Sequence, residues 1–146
     1  MTKTMSTKSI VLYADDDADD IQFVTEAFIN YSKNVELVTV SDGLEALSYL
    51  KNLSVDAPAP CLIILDINMP RMDGKEALIK IRQMERFEKI PSVLFTTSSQ
   101  NRDKDFAARY NAGFLTKPID IFQMEVVANT FIEHCSEQIK KNIRKE

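Results

Sequence analysis

The fold class this sequence predicts is α/β: an open, doubly wound parallel sheet of five strands with helices on both faces. Three observations predict it. Strand-length apolar runs alternate with helical patterns five times, through short links. One of them, Cys61-Leu62-Ile63-Ile64-Leu65, is apolar at every position, as a parallel central strand buried on both faces must be. Four of the runs also end on a residue with chemistry to offer: Asp15, Asp66, Thr96 and Lys117. Right-handed crossovers bring the carboxyl ends of parallel strands to one edge, where such folds hold their ligands.

Residues 1–8 are polar and read as a frayed tail. Ser9 to Ala14 carries Ile10, Val11, Leu12 and Tyr13 and stops at Asp15-Asp16-Asp17. Asp19 and Asp20 fall in the first turn of a helix, where negative charge suits the dipole, and Ile21, Val24, Ala27 and Phe28 continue at helical spacing. Val35 to Val40 is a second strand. Asp42 and Glu45 have the spacing of a capping box, and Leu44, Leu47 and Leu50 give the next helix its apolar stripe. Residues 52–60, with Pro58 and Pro60, lack periodicity and form a surface loop. After the central strand, Pro70 cannot donate to a ladder and Asp73-Gly74 is turn chemistry, so Asp66 sits where buried strand gives way to exposed loop.

A helix from about Lys75 turns Ala77, Leu78 and Ile81 inward. Pro91 opens the strand Val93-Leu94-Phe95, which runs into Thr96-Thr97-Ser98-Ser99. A polar helix, Asn101 to Tyr110, ends at Asn111-Ala112-Gly113 and leads into the strand Phe114-Leu115-Thr116. The last helix begins near Asp120 and buries Ile121, Met124, Ala128, Phe131, Ile132, Cys135 and Ile139, fraying into Lys140 to Lys145. His134 reads as an exposed or half-buried residue of that helix and not as a ligand. The 146 residues make one domain with its core over 9–132, residues 133–146 extending the last helix.

The totals exclude several classes. No Cys/His metal spacing exists, and Cys61 and Cys135 read as reduced, partly buried thiols of a cytoplasmic protein. No run is long enough to span a membrane and no hydrophobic signal core opens the chain. A net charge of -4 offers no general field for nucleic acid.

At the predicted edge, Asp15, Asp16 and Asp66 repel each other, by roughly 3 kcal/mol for a pair about 5 Å apart at an effective dielectric of 20. A cation must offset that. Oxygen ligands without His or Cys favour a hard divalent ion, and few carboxylates with room for water suit Mg²⁺. Mg²⁺ in turn suggests phosphate. Thr96 has a hydroxyl to donate to a phosphoryl oxygen and Lys117 a point charge. Asp66, on the central strand, is the natural nucleophile toward phosphorus, forming an acyl phosphate.

This constellation resembles the receiver domains of two-component response regulators, the CheY-like family, over about Ser9 to Ile132. The motifs are an acidic pair after the first strand, Asp66-x-Asn68-x-Pro70-x-x-Asp73-Gly74, Thr96 after the fourth strand, an aromatic at Phe114, and Lys117-Pro118. The resemblance implies a flavodoxin-like sheet of order 2-1-3-4-5 with five helices. It implies Asp66 as phosphoacceptor; Asp16, Asp66 and the Asn68 backbone carbonyl as Mg²⁺ ligands, with Asp15 helping through water and Mn²⁺ able to substitute; Thr96 and Lys117 as phosphoryl-binding residues; and Phe114 as a switch. It also implies a cis bond before Pro118. Phe114 lacks the hydroxyl of the family's frequent tyrosine and signals only by where its ring packs. Asp19-Asp20, the loop over 56–60 and Asn-x-Pro-Arg are similar to single-domain receivers that partner bacterial phytochrome kinases.

Plainer readings stand beside this one. Asp15 and Asp16 as a helix cap, Thr96 as a backbone partner and Phe114 as a core aromatic are each ordinary roles. An aspartyl-nucleophile phosphohydrolase needs a second acid two residues after the nucleophile, and Asn68 there neither gives nor takes a proton. A receiver-like binding module independent of phosphorylation is the other alternative. The expected function is a non-enzymatic, single-domain response regulator that takes phosphoryl from a histidine kinase or phosphotransfer protein. It signals by protein contact through the fourth helix, fifth strand and fifth helix, possible homodimer included, or relays phosphate, with no direct nucleic-acid or membrane partner. Asn68 and Ser98 are placed to tune attack by water and so the lifetime of the signal.

Overall fold

The computed structural model describes residues 8–117 and 124–145. The expected tail apart from Lys8, the Lys117-Pro118 bond, Ile121, the helix start near Asp120 and the side chain of Met124 lie outside the described residues. Eleven elements alternate in order: β1 (Ser9–Ala14), α1 (Ala18–Tyr31), β2 (Val35–Val40), α2 (Gly43–Lys51), β3 (Leu62–Leu65), α3 (Gly74–Arg82), β4 (Ser92–Thr96), α4 (Asn101–Arg109), β5 (Gly113–Thr116), α5 (Met124–Ile132) and α6 (Glu137–Arg144). All strand pairs are parallel and the order is β2-β1-β3-β4-β5.

Alternation along the strands divides the core. Leu12, Ile63, Leu65 and Leu94 face α2, α3 and α4, while Val11, Tyr13, Leu62, Ile64, Val93 and Phe95 face α1, α5 and α6. The expected apolar-throughout central strand is β3, with all four residues buried. Since α1 and α2 cover opposite faces, the chain changes side between β1 and β3, and the crevice at a parallel sheet's binding edge opens there.

Two helix readings need correction. The stripe of α2 is Ala46, Leu47 and Leu50, with Leu44 left 39% exposed. Helix α4 ends just before Asn111-Ala112-Gly113 as expected, the turn taking its left-handed residue at Asn111 (φ 57°), which tolerates that region, and Gly113 beginning β5. The described residues also form six helices where five were expected, because the last helical pattern breaks. Ser136 caps α6, its hydroxyl accepting from Ile139 N–H at 3.3 Å, and the chain turns through His134 and Cys135. A straight helix would carry Ile139 and Ile143 past the sheet into water; the bend returns both to the α1–α5 side of the core. Gly113 lies directly under the His134 imidazole, with no room for a side chain.

The basic end is therefore docked. Arg144 donates to Tyr31, Asn129 and Glu133, the carbonyl of Ile143 accepts from Ser32 Oγ at 2.6 Å, and Asn34 reaches the carbonyls of Asn142 and Lys145. Cys61 and Cys135 are free thiols, as expected, with Cys135 Sγ 3.8 Å from the Cys61 carbonyl. Helix α6 thus covers the amino-terminal edge of the sheet and leaves the carboxyl edge open. Replacing the buried Ile143 with alanine (Ile143→Ala) should lower stability by about 2–4 kcal/mol in urea unfolding. A loss below about 0.5 kcal/mol would show that α6 does not pack as described.

Candidate functional site

Local chemistry sets each side chain in place at the carboxyl edge. Chain direction changes at Asp15 and Asp16, and Asp17, not Asp15 or Asp16, is the N-cap of α1, accepting from the N–H groups of Asp19 and Asp20 at 2.9 and 3.0 Å. Asp15 is fully buried. Its Oδ1 accepts from Asp17 N–H at 2.9 Å, and its Oδ2 from the Tyr13 phenol at 2.5 Å and from Lys117 Nζ at 2.7 Å. Asp66 follows β3 at 7% exposure, with Asn68 N–H donating to its Oδ1 at 3.3 Å.

Lys117 leaves β5 with its own N–H donating to the Thr96 carbonyl, and only 6% of it is exposed. Its ammonium lies 2.7 Å from Asp15, 2.8 Å from Asp20 and 3.3 Å from Asp66. An ammonium has three N–H donors, so the group is saturated by carboxylates. It also sits 5.0 Å from the centre of the Phe95 ring. Asp16, exposed, completes the cluster: one oxygen from each of Asp15, Asp16 and Asp66 lies within 4.8 Å of the others.

The electrostatics follow from this crowding. Burial pushes the Asp66 carboxyl up to about 6; Lys117 opposes the rise and Asp15 adds to it. Burial also works against the Lys117 ammonium, but Asp15, Asp20 and Asp66 together hold it above the ordinary lysine range. The Tyr13 phenol is held far above its usual range by burial and by the Asp15 carboxylate it donates to, so it stays a donor. Four carboxylates, Asp15, Asp16, Asp20 and Asp66, face one ammonium, leaving an excess of negative charge. The oxygens of Asp15, Asp16 and Asp66 form a hard donor set of the kind a divalent cation fits. Both oxygens of Asp15 already accept from protein donors, while Asp16 opens to solvent.

The loop after β3 is built to close over Asp66. Gly74 N–H donates to the Ile67 carbonyl at 3.0 Å, and a Cβ at Gly74 would collide with the Asp66 carbonyl oxygen. Glycine is needed there for close approach. Asp73, read as a turn residue, is the N-cap of α3. Arg71 adopts a left-handed conformation (φ 64°) and donates from Nε to the buried Asp42 at 2.7 Å, while Gly43 N–H donates to the Met72 carbonyl at 3.0 Å. Burial works against the Asp42 carboxylate, yet the Arg71 guanidinium and the cap N–H of Glu45 hold it below the usual range.

Thr96 is buried at the end of β4, and its Oγ1 accepts from Ser98 N–H at 3.2 Å. Phe114 pairs with Leu94 in register and lies half-buried against the α2–α4 side of the core. The sequence-derived residues thus gather as expected at Asp15, Asp16, Asp66 and Lys117, with Thr96 on the adjoining strand. Ser98 differs: its hydroxyl donates to Asp103. Two partners were not anticipated. Asp20, read as serving the helix dipole, binds Lys117, and Tyr13, read as core, holds Asp15. The signal for Tyr13 was its spacing, since residues two apart on a strand share a face.

Comparison with known proteins bears on this arrangement. A response regulator receiver domain model matches residues 11–129. Response regulator Rcp1 from Synechocystis is 32% identical over 132 residues, covering 85% of this chain and 88% of that protein. The crystal structure of the phosphorylated cyanobacterial phytochrome response regulator RcpA superposes with a TM-score of 0.79 at 29% identity, over 90% of this chain and 96% of that one. The Mn²⁺-bound form of response regulator Rcp1 gives 0.75 at 28% identity, over 86% and 92%.

Removing the phenol hydroxyl (Tyr13→Phe) takes a buried donor from a charged acceptor and should cost about 1.5–3 kcal/mol in urea unfolding at neutral pH. Unchanged stability would show that the phenol does not hold Asp15.

Proposed function

The chain belongs to the response regulator receiver domain family, and from that premise we propose that Asp66 is its phosphoacceptor, loaded by a histidine kinase or phosphotransfer protein in the presence of Mg²⁺. An Asp66 oxygen bonds to the phosphorus of phosphohistidine as the P–N bond breaks. The electron pair leaves on imidazole, which takes up a proton, and Asp66 becomes an acyl phosphate. The observation that carries this reading is the Lys117 ammonium held between Asp15, Asp20 and Asp66, ready to meet phosphoryl oxygens at the nucleophile. Asp16, Asp66 and the Asn68 backbone carbonyl would hold Mg²⁺, with Mn²⁺ a substitute, and Asp15, its oxygens already engaged, would act through water. Bound there, the ion supplies charge neutralisation and Lewis acidity toward the phosphoryl oxygens.

The chain's own residues do the rest. Lys117 offers charge to the phosphoryl group, and Thr96 turns its hydroxyl to a second oxygen. Phe114, free to repack on the half-buried side of β5, reports that turn to the surface of α4, β5 and α5. A downstream protein or a second copy of the chain reads that surface. Asn68, exposed beside Asp66, tunes attack by water and hence the lifetime of the acyl phosphate; Ser98 contributes through the loop it anchors. Transfer and hydrolysis are steps of the receiver itself, without a foreign substrate. Among the described residues no helix is long and apolar enough to cross a membrane, and with two free thiols we place the protein in the cytoplasm.

Incubation with acetyl phosphate and Mg²⁺ should add one phosphoryl mass, located on Asp66 by peptide mass spectrometry, and Asp66→Asn should abolish it; label on another residue would overturn the assignment. For the metal, Asp16→Asn should weaken Mg²⁺ binding in calorimetry by more than about 100-fold, beyond what the loss of an outer-sphere group usually costs. Equal affinity in both proteins would remove Asp16 from the ligand set.

A further inference from the structure

Helix α4 is attached to the domain in an unusual way. It buries only Asp103 and Ala107, and its N-cap, Gln100, makes no side-chain cap bond. Asp103 lies in its first turn at 4% exposure, a carboxylate where a core-facing position ordinarily carries an apolar side chain. One Asp103 oxygen accepts from the Ser98 hydroxyl. The other pairs with Lys75 Nζ and makes no other polar contact among the described residues. The Lys75 and Ser98 contacts hold this carboxyl below the ordinary carboxylate range. Lys75 in turn lies 5.3 Å from the centre of the Phe106 ring, one turn further along α4.

Each end of this chain of contacts reaches the phosphoacceptor by a separate route. Lys75 follows Gly74, the residue pressed against the Asp66 carbonyl. Ser98 donates its N–H to Thr96 Oγ1 at 3.2 Å and its hydroxyl to Asp103, while its carbonyl accepts from Thr116 Oγ1 at 3.5 Å. In this arrangement the Thr96 hydroxyl faces its own loop. Swinging the side chain toward an oxygen on Asp66 would stretch its bond from Ser98 N–H, and Ser98 is pinned to α4.

We propose that Lys75 and Asp103 are positioning residues that form a latch: their half-buried ion pair, through Ser98, holds the Thr96 hydroxyl on its own loop and α4 in its resting place. The inference rests on the reading of Asp66 as phosphoacceptor and adds the element that opposes its loading. Coupling between two sites is reciprocal, so a latch that phosphoryl must break is one whose loss favours phosphoryl binding. A pair that only stabilised the fold would not behave this way.

The test uses beryllofluoride with Mg²⁺, a tetrahedral phosphoryl mimic, as the ligand, with hydrogen exchange of α4 amides as a second readout. Lys75→Met and the milder Asp103→Asn should bind it about fivefold more tightly or better, the lower range of ordinary coupling. Both should also show faster α4 exchange without ligand, and Lys75→Arg, which keeps the charge, should restore both readouts. Equal or weaker binding in Lys75→Met and Asp103→Asn, with normal binding by the unaltered protein, would overturn the latch alone. Tight binding in Lys75→Arg matching that of Lys75→Met would also overturn it, since the charge would then be irrelevant. Failure of the unaltered protein to bind would overturn the phosphoacceptor reading, and the latch with it.

Discussion

One buried ammonium organises the carboxyl edge of this sheet. Lys117 brings its three donors to Asp15, Asp20 and Asp66, which come from β1, α1 and the end of β3. Without it, carboxylates in this crevice would repel each other at close range and out of bulk water, and losing one partner of such a buried pair typically costs about 3–5 kcal/mol. The arrangement remains under tension, because three acids share one amine, Asp16 lies beside two of them, and Asp66 is driven toward its protonated form. That residual charge makes the site receptive to a cation, and the exposed Asp16 is the member of the cluster that opens to solvent.

The surrounding backbone keeps these groups from relaxing apart. Gly74 lets the loop after β3 close on the Asp66 carbonyl, Arg71 accepts a left-handed backbone to reach Asp42, and Gly43 bonds to Met72. The loop is thus tied to α2 as well as α3. Tyr13 performs the same service inside the sheet, fixing the carboxylate of Asp15 so that its oxygens stay committed. Site residues on strand ends and short loops are held in this way from several sides, while other parts of the domain are less well secured. Helix α4, with two buried residues and a charged anchor, is such a part.

The two edges of the sheet are treated differently, and function follows the difference. At the amino-terminal edge α6 folds back over the α1–β2 connection with its carbonyls and Arg144 satisfied by Ser32, Asn34 and Tyr31. That edge is closed. At the carboxyl edge the strands end in acids, a hydroxyl and an amine, and Asp16 stays exposed among the described residues.

Much of this was legible in the sequence because the rules involved are local. An apolar run at Leu62 to Leu65 can only be a strand buried on both faces, and Ser9–Ala14 and Val35–Val40 were readable to the residue. Parallel crossovers then forced Asp15, Asp66, Thr96 and Lys117 to one edge. The rest depended on which partner a side chain meets. The three-and-four spacing that continues from Phe131 through Ile139 is the same for one straight helix as for two, and only the position of the sheet's edge makes the bend at Ser136 the lower-energy path. Asp20 has a sufficient local reason to sit at a helix start, so nothing along the chain reveals that Lys117, 97 residues away, holds it. The sequence by itself determined the layers, the strand ends and the kind of chemistry gathered there, because periodicity and chain direction are properties of a segment. Tertiary structure alone decided which carboxylates share the ammonium and which hydroxyl faces which acid, because a buried charge is satisfied by whatever the packed chain brings within hydrogen-bonding distance.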